Sequence, residues 1–398
     1  MSVFLRLLNV CIVATAAACA APSITTVQPA SVAAGGTIEL GGRGFSSSTT
    51  ARLQANGAEV QLVVTTVTAV QLFARIPQAT PPGVFDVVVD VDGVEARLPA
   101  AVTIVAGALH IRFLDIGQGD ATLITGPDGS SLLIDGGPNG AIDVVREAVR
   151  AVGGVDHVAV THTDADHLSG VVRLLAGNDG IAGTNDDLVP ETRWVGYVDD
   201  SCASQLCGNF KALNADFERP LVGDTLEFGD VLIEVVGRDT DFGDGPLVGA
   251  TDANERSLTL VVRYAGRSVF IGGDLTGGGL GSANVEAIAG AVIGPVDVLH
   301  VNHHGSATSS SAGFLAALQP LVAVISEGTD NTYCHPDNGV LARIEAAGPQ
   351  IFSTGRGIDD ASGRCEATIW PADAITGIGT IELSIDADGT LIVDGVEF

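Results

Sequence analysis

The stretch His162-Thr163-Asp164-Ala165-Asp166-His167 follows directly after the apolar run 155–161 of this 398-residue chain. Two histidines and two aspartates within six residues place imidazole and carboxylate groups at the end of a predicted strand. In a locally extended segment, positions 162, 164 and 166 point to one side, and His167 joins them as the chain turns into a helix. The alternative is a charged turn in which Asp164 or Asp166 caps a helix, but so dense a cluster favours a metal or catalytic site.

Three further motifs with potential metal ligands also follow apolar runs. Asp274 ends a predicted strand in Gly272-Gly273-Asp274, where a carboxylate can bridge two metal ions. Histidines recur in His303-His304-Gly305-Ser306 and in Tyr333-Cys334-His335-Pro336. Mixed nitrogen and oxygen ligands suit zinc or manganese. Three other histidines lie inside predicted strands and are interpreted as structural: His110, His157 and His300.

From residue 109 onward, predicted strands alternate with predicted helices, which indicates a layered α/β domain. The predicted strands are 110–116, 121–125, 131–134, 155–161, 231–236, 257–264, 268–272, 296–301 and 322–325. The predicted helices are 142–152, 168–175, 285–291, 312–318 and 340–347.

Residues 24–105 are predicted to be all-β, because short apolar runs are separated by Gly, Pro, Asn and Ser. This stretch contains no His or Cys, so it offers little for catalysis. The segments 24–29, 35–45 and 82–85 resemble an IPT/TIG domain, an immunoglobulin-like β-sandwich. The resemblance implies a spacer or a binding module.

Residues 109–398 resemble the metallo-β-lactamase superfamily, in particular the extracellular hydrolase domain of ComEC DNA-uptake proteins. The resemblance rests on the segments 113–121, 133–137, 161–170, 301–306 and 331–336, with Cys334 where that group usually has glycine. It implies an α/β fold, an αββα sandwich with the site along one edge.

Carried over residue by residue, the resemblance implies the metal ligands His162, Asp164, Asp166 and His167, with Asp274 as the bridging ligand. Asp166 would also be the catalytic group that orients the attacking water. His303 and His335 are the two candidates for the remaining ligand.

The resemblance also implies supporting roles around these ligands. His304 is expected to contact substrate, and Asp135 to lie behind the ligand loop in contact with a ligand. Asp120 and Gln118 are expected to shape the pocket rim, or only to form the turn.

The expected cofactor is a pair of divalent metal ions, with zinc favoured and manganese the alternative. Asp164 stands where the commoner superfamily pattern has histidine. No histidine lies between His167 and Asp274, where many relatives place another ligand. One metal position is therefore expected to bind weakly or to prefer manganese.

The chain is strongly acidic, with 19 Lys+Arg against 48 Asp+Glu and a net charge of −29. Such a surface disfavours tight non-specific binding of nucleic acid. It does not exclude a nucleic-acid substrate, because bound metal ions reverse the field locally.

Residues 1–21 are predicted to be an export signal, with Arg6, a short apolar stretch and a run of small residues. Cys19 lies in a lipobox-like context and is a candidate for lipidation; cleavage by ordinary signal peptidase is the alternative. The protein is then periplasmic, a cell-surface lipoprotein or extracellular. No later segment is apolar over the length of a membrane span.

Four cysteines remain beyond the predicted signal, and in an oxidising compartment they are expected to form disulfides. Three pairings are open; Cys202–Cys207 and Cys334–Cys365 are favoured over a cysteine-bound zinc.

These observations predict an exported metal-dependent hydrolase whose dinuclear site activates water, phosphodiesterase- or nuclease-like in activity. One alternative is a hydrolase of a lactone, β-lactam or other ester. Another is a surface binding protein with an inactive hydrolase domain.

Overall fold

The computed structural model describes residues 21–55, 57–77, 80–105, 107–177, 181, 184, 188–198, 204–213, 217–243, 249–250, 252–359 and 363–398. They belong to two compact units, 1–105 and 106–398. Residues 1–20 of the predicted export signal, Cys19 included, and Cys202 of the predicted Cys202–Cys207 pairing lie outside the described residues. No helix in the described part of the chain combines the length and apolarity that crossing a bilayer requires.

The first unit is a β-sandwich with its apolar side chains between two sheets. The strand orders are β1-β3-β7-β6 and β2-β9-β8-β4-β5. Ile38, Leu53 and Val87 are fully buried in the core, because each strand turns alternate residues inward. The strands are β1 Ser23–Gln28, β2 Ser31–Ala33, β3 Thr37–Arg43, β4 Thr50–Ala55, β5 Ala58–Gln61, β6 Val63–Val67, β7 Gln71–Arg75, β8 Gly83–Val91 and β9 Val94–Val105.

The second unit contains two large mixed sheets. One has the strand order β14-β13-β12-β11-β10-β22-β23-β24 and the other β15-β16-β17-β18-β19-β20-β21. The strands of the first are β10 Leu109–Phe113, β11 Thr122–Thr125, β12 Ser131–Ile134, β13 His157–Val160, β14 Thr192–Val195, β22 Ile381–Ile385, β23 Leu391–Val393 and β24 Val396–Glu397. Those of the second are β15 Thr225–Phe228, β16 Val231–Gly237, β17 Thr259–Tyr264, β18 Arg267–Ile271, β19 Val298–His300, β20 Val322–Ile325 and β21 Gln350–Ser353.

Helices cover the outer face of each sheet. The first three pack on the sheet that contains β12, and the other three on the sheet that contains β20. Their bounds are α1 Ile142–Ala151, α2 Ala165–Leu175, α3 Gln205–Leu213, α4 Glu286–Ile293, α5 Ala312–Leu318 and α6 Asn338–Ala347. The predicted αββα sandwich is confirmed.

The central strands β12 and β20 are buried on both faces, which explains why their sequences are continuous apolar runs. Leu132 and Ile134 pack against the facing sheet, whereas Leu133 packs against helices. On β20, Val324 faces the other sheet and Ile325 the helices. Both faces of these strands are covered, so residues 132–134 and 322–325 are all apolar.

The predicted strands and helices of this unit are all present, with their ends shifted by a few residues. The predicted Cys334–Cys365 disulfide is also present. It joins the loop after β20 to the segment that follows β21.

Candidate metal centre

The candidate site lies at one edge of the second unit, where several strands end. β12 and β13 are parallel, and so are β18, β19 and β20, so the carboxyl ends of neighbouring strands meet at the same edge. The polar residues follow these strands in turn: Asp120 after β10, Asp135 after β12, His162 to His167 after β13, Asp274 after β18, His303 and His304 after β19, and His335 after β20.

Asp274 stands at the centre of the cluster, and each of its carboxylate oxygens faces two histidines. Its Oδ1 lies 3.2 Å from Nε2 of His167 and 3.5 Å from Nε2 of His304. Its Oδ2 lies 3.8 Å from Nε2 of His162 and 3.5 Å from Nε2 of His303. Because its two oxygens lie close to different pairs of imidazoles, this carboxylate divides the site into two halves.

An aspartate from the α2 region adds a carboxylate to each half. Oδ2 of Asp164 lies 3.7 Å from Nε2 of His162, in the half that Oδ2 of Asp274 faces. Oδ2 of Asp166 lies 3.7 Å from Nε2 of His304, in the other half. Each half therefore offers two imidazole nitrogens, one terminal carboxylate and one oxygen of the shared carboxylate, which matches the four ligands of a zinc site.

Hydrogen bonds to Nδ1 hold all four imidazoles with Nε2 toward Asp274. Nδ1 of His162 lies 3.1 Å from the Thr161 hydroxyl, and Nδ1 of His303 lies 2.9 Å from the Thr308 hydroxyl. The other two rings are bound through Nδ1 at 2.8 and 3.0 Å, His167 by the Asp135 carboxylate and His304 by the Ser326 carbonyl. A partner on one ring nitrogen fixes which nitrogen remains for a metal.

Two consecutive left-handed residues bring His303 and His304 to different oxygens of Asp274. Their φ angles are 51° and 53°, a region that residues other than glycine rarely adopt. The rings diverge as a result, with their centroids 6.2 Å apart and their planes at 74°. The sequence predicted a shortage of histidine ligands, and this turn supplies both rings from adjacent positions.

The expected extended conformation is present at Asp164, whose φ and ψ are −69° and 152°, but it ends there, because α2 already begins at Ala165. Asp164 occupies the N-cap position, but its side chain makes no capping hydrogen bond. The chain turns early because Gly136 and Gly170 let the loop after β12 pack directly on the first turns of α2. A Cβ on either glycine would overlap backbone atoms. This close packing places His167 beside Asp135.

Unpaired buried polar atoms are concentrated in this cluster. Among the described residues, ten buried side-chain nitrogen and oxygen atoms have no hydrogen-bond partner, and five belong to the site. These five are Oδ1 of Asp120, Oδ1 of Asp274, and Nε2 of His162, His167 and His304. Buried polar groups normally have partners, so this convergence of unpaired nitrogen and oxygen atoms suits the binding of a cation.

The neighbourhood of Asp120 differs from the sequence-based expectation. Its side chain is buried rather than on the pocket rim, and Oδ1 lies 3.4 Å from Nδ1 of His304 and 3.5 Å from Nε2 of His300. Ligand-type atoms of Asp120, His167, Asp274 and His304 all lie within 4.8 Å of one another. Since Asp120 faces the Nδ1 side of His304, we interpret it as a support for that ring rather than as a ligand.

The charges of the cluster depend on one another. Burial disfavours a charged His167, but the carboxylates of Asp274 and Asp135 outweigh it and hold the pKa of His167 well above its usual range. Burial also opposes charge on His304, yet Asp274 and Asp120 raise its pKa to about 9. Against its own burial, the neighbouring histidines keep the pKa of Asp274 well below its usual range. The carboxylates therefore favour the protonated forms of His167 and His304 as long as no metal is bound.

A pocket of about 330 Å³ opens onto these ligands. Its described lining is Gln118, Asp164, Ala165, Asp166, Asn254, Asp274, His303, His304, Tyr333 and His335. His335 lies on the pocket wall, with its ring centroid 5.6 Å from that of His303. Burial, with help from the nearby histidines, lowers the pKa of His335 to about 4. The position of His303 beside Asp274 favours it over His335 as the remaining ligand.

The sequence-based predictions did not include several residues of the site. Asn254 lines the pocket, and its amide nitrogen lies 3.2 Å from Nε2 of His303. Thr308 and Ser326 hold rings from behind, and Tyr333 forms part of the rim. They are single polar or aromatic residues in loops, so no spacing pattern could have identified them, although Tyr333 lies in a motif singled out for His335.

Comparisons with known proteins agree with both sequence resemblances. The description "Metallo-beta-lactamase superfamily" matches residues 114–326, and "IPT/TIG domain" matches residues 22–105. The chain is 24% identical over 271 residues to "ComE operon protein 3" of Bacillus subtilis, which is 62% of this chain and 32% of that protein. It is 27% identical over 244 residues to "Recombination protein 2" of Haemophilus influenzae, which is 59% of this chain and 26% of that protein.

The chain thus spans about a third or less of the length of these two curated relatives. Among solved structures, the metallo-beta-lactamase fold protein YhfI from Bacillus subtilis aligns with a TM-score of 0.37 and 10% identity. That alignment covers 62% of this chain and 98% of the other.

Proposed function

Because this chain belongs to the metallo-β-lactamase superfamily, we propose that residues 106–398 form a metal-dependent hydrolase with a dinuclear site. One observation carries the proposal: the two oxygens of Asp274 each face two imidazole Nε2 atoms. A shared carboxylate between two such sets suits two neighbouring divalent ions.

The residues that would hold the two ions are those already grouped around Asp274. One half consists of His162, Asp164 and His303, and the other of His167, Asp166 and His304. Bound ions would lower the pKa of a water molecule and neutralise charge on the attacked group. Zinc is favoured by the mixed nitrogen and oxygen ligands, and manganese is the alternative.

Asp166 is the residue that we assign to proton transfer. It lines the pocket, and its side chain is 27% exposed, whereas that of Asp274 is 4% exposed. A partly exposed carboxylate can accept the proton of an attacking water and still contact the cluster through His304. The oxygen of that water forms the new bond to phosphorus or carbon, the bond from that atom to the leaving group breaks, and the leaving group takes up the proton that Asp166 accepted.

A phosphodiester is the proposed substrate class, with nucleic acid as its most relevant member. The name of the relative from Haemophilus influenzae connects that protein with recombination, which supports this choice. The proposal concerns one domain, because the chain covers only part of the two relatives compared above.

A neutral ester, lactone or β-lactam is the second candidate. No Lys or Arg belongs to the pocket lining among the described residues, and the chain carries a net charge of −29. The protein itself therefore offers little attraction to a polyanion. A binding protein with an inactive hydrolase domain is disfavoured, because both halves of the site offer complete sets of ligand groups.

Export of the protein remains part of the proposal. The Cys334–Cys365 disulfide supports an oxidising compartment, so the periplasm, the cell surface or the medium is the expected location. Labelling with radioactive palmitate separates the two predicted anchoring modes. Label lost in Cys19→Ser indicates a lipoprotein, and no label on either protein indicates a soluble form.

Cleavage of bis-p-nitrophenyl phosphate and plasmid DNA by protein lacking residues 1–21 tests the activity. Zinc, manganese and EDTA are compared, with nitrocefin and a lactone as competing substrates. Asp166→Ala is expected to lower kcat at least about 100-fold, the contribution of a general base. Asp143→Ala, at an exposed position of α1, is the matched control.

The outcomes separate the candidates. Cleavage lost on chelation but retained in Asp166→Ala would contradict the assigned role. If only the lactone or nitrocefin is turned over, that compound replaces the phosphodiester as the proposed substrate class. If the protein turns over none of the substrates, the binding-protein alternative is favoured.

A further inference from the structure

Tyr333 combines two properties that rarely coincide, since it lines the pocket and is also 64% exposed. Large aromatic side chains lose favourable burial when they stay in water. A bound substrate that also contacts Tyr333, beside the groups that react, would bury the tyrosine ring. Tyr333 is therefore a candidate contact for a part of the substrate that extends beyond the metal ligands.

The loop that carries Tyr333 is held in place from both sides. The side-chain oxygen of Asn331 accepts hydrogen bonds from the backbone N–H groups of Tyr333 and His335, both at 3.1 Å. The Asn331 amide donates to the carbonyls of His335 and Gly328 at 2.6 and 2.8 Å. The disulfide at Cys334 adds a covalent tie. A loop fixed in this way loses little conformational entropy on binding.

The aromatic rings of this region form a nearly parallel series from the rim inward. The rings of Tyr333 and His335 have centroids 6.2 Å apart and planes at 22°. The rings of His335 and His304 have centroids 6.5 Å apart and planes at 27°. The series therefore leads from an exposed tyrosine to an imidazole that faces Asp274.

We propose that Tyr333 and His335 form an aromatic platform that stacks a planar ring of the substrate, namely a nucleobase adjacent to the phosphodiester that is cleaved. This inference deepens the proposed function and rests on it. Stacking suits this protein because it requires no positive charge on the protein, and every base offers a flat face. In an acidic chain with no described Lys or Arg in the pocket lining, stacking supplies affinity that cationic side chains provide elsewhere.

The platform predicts a preference for a base that can be measured without turnover. Binding of deoxyadenosine 5′-monophosphate and of 2-deoxyribose 5-phosphate to the metal-loaded protein is compared by calorimetry. The wild type should bind the nucleotide about tenfold more tightly than the sugar phosphate, within the range of base–aromatic stacking. Tyr333→Phe keeps the ring and should keep that ratio. Tyr333→Ala should reduce it to within about twofold.

Ile369→Ala is the matched control, because Ile369 is 73% exposed and is not among the described pocket residues. It should leave the ratio unchanged. The platform is overturned if the wild type shows no preference for the base, if it binds neither ligand, or if Tyr333→Ala retains the full ratio.

Phosphodiester cleavage is measured on the same samples, so that the two claims fail separately. If the protein prefers the nucleotide to the sugar phosphate in a way that depends on Tyr333 but cleaves no phosphodiester, the platform is supported and the proposed hydrolase activity is contradicted. Cleavage with a ratio insensitive to Tyr333 supports the hydrolase and overturns the platform.

Discussion

Oδ2 of Asp135 lies 2.8 Å from Nδ1 of His167, and both side chains are buried. Asp135 also accepts hydrogen bonds from the backbone N–H and the hydroxyl of Thr161, at 2.8 and 2.6 Å. Asp135, which is not among the described pocket-lining residues, thus joins the loops after β12 and β13. It leaves only Nε2 of His167 free to bind a metal beside Asp274.

Asp135→Asn should lower metal affinity about 10–100-fold, as the loss of such supporting contacts usually does. The substitution preserves shape but removes the negative charge that holds the ring. Competition with a chromophoric chelator measures the change. Asp143→Asn, at an exposed position of α1, should bind as the wild type does; equal affinity of both variants would contradict the assigned role.

Metal binding should release protons, and apparent affinity should fall as the pH is lowered. The neighbouring carboxylates hold the pKa of His167 well above its usual range and raise that of His304 to about 9, which favours protonated rings near neutral pH before metal binds. A ligand imidazole must be neutral, and binding therefore expels these protons. Calorimetric titration in buffers of different protonation enthalpy counts them. A heat that is independent of the buffer would show that the rings were neutral beforehand.

Glu286 should stabilise the turn that carries the two histidines. It is fully buried and accepts hydrogen bonds from the Asn302 amide at 2.9 Å and from the backbone N–H groups of Ser310 and Ser311 at 2.6 and 2.7 Å. Glu286→Ala leaves these donors unpaired and should cost about 3 kcal/mol of unfolding free energy. Chemical denaturation followed by tryptophan fluorescence measures it.

The control for that substitution is Glu345→Ala, at an exposed position of α6. Exposed changes of this kind usually stay within about 0.5 kcal/mol. If both variants unfold at the same denaturant concentration, Glu286 does not support the turn.

The layers and the main ligand motif could be predicted because their signals are local. The apolar strand before His162 and the helical period after it occupy consecutive residues, and so do the runs of β12 and β20. The alternating pattern of Ile381, Leu383 and Ile385 is equally local, yet its pairing with β10 joins residues 268 to 276 positions apart. Sequence periodicity carries no information about such a partner.

The division of the site between the two oxygens of Asp274 could not be predicted for a related reason. It depends on positive φ angles at both His303 and His304, which the sequence hints at only through Gly305. The place of Asn254 in the pocket could not be predicted either, because a lone asparagine between strands is far more often a turn residue than part of a pocket.

Metal content per chain tests the central claim most directly. Plasma mass spectrometry of protein loaded with zinc, or separately with manganese, and then freed of excess metal should find two ions per chain in the wild type. Asp274→Ala removes the carboxylate that both halves share and should hold at most one, while Asp143→Ala should keep two. A wild type with one ion or none, or an Asp274→Ala variant that still holds two, would contradict the dinuclear site.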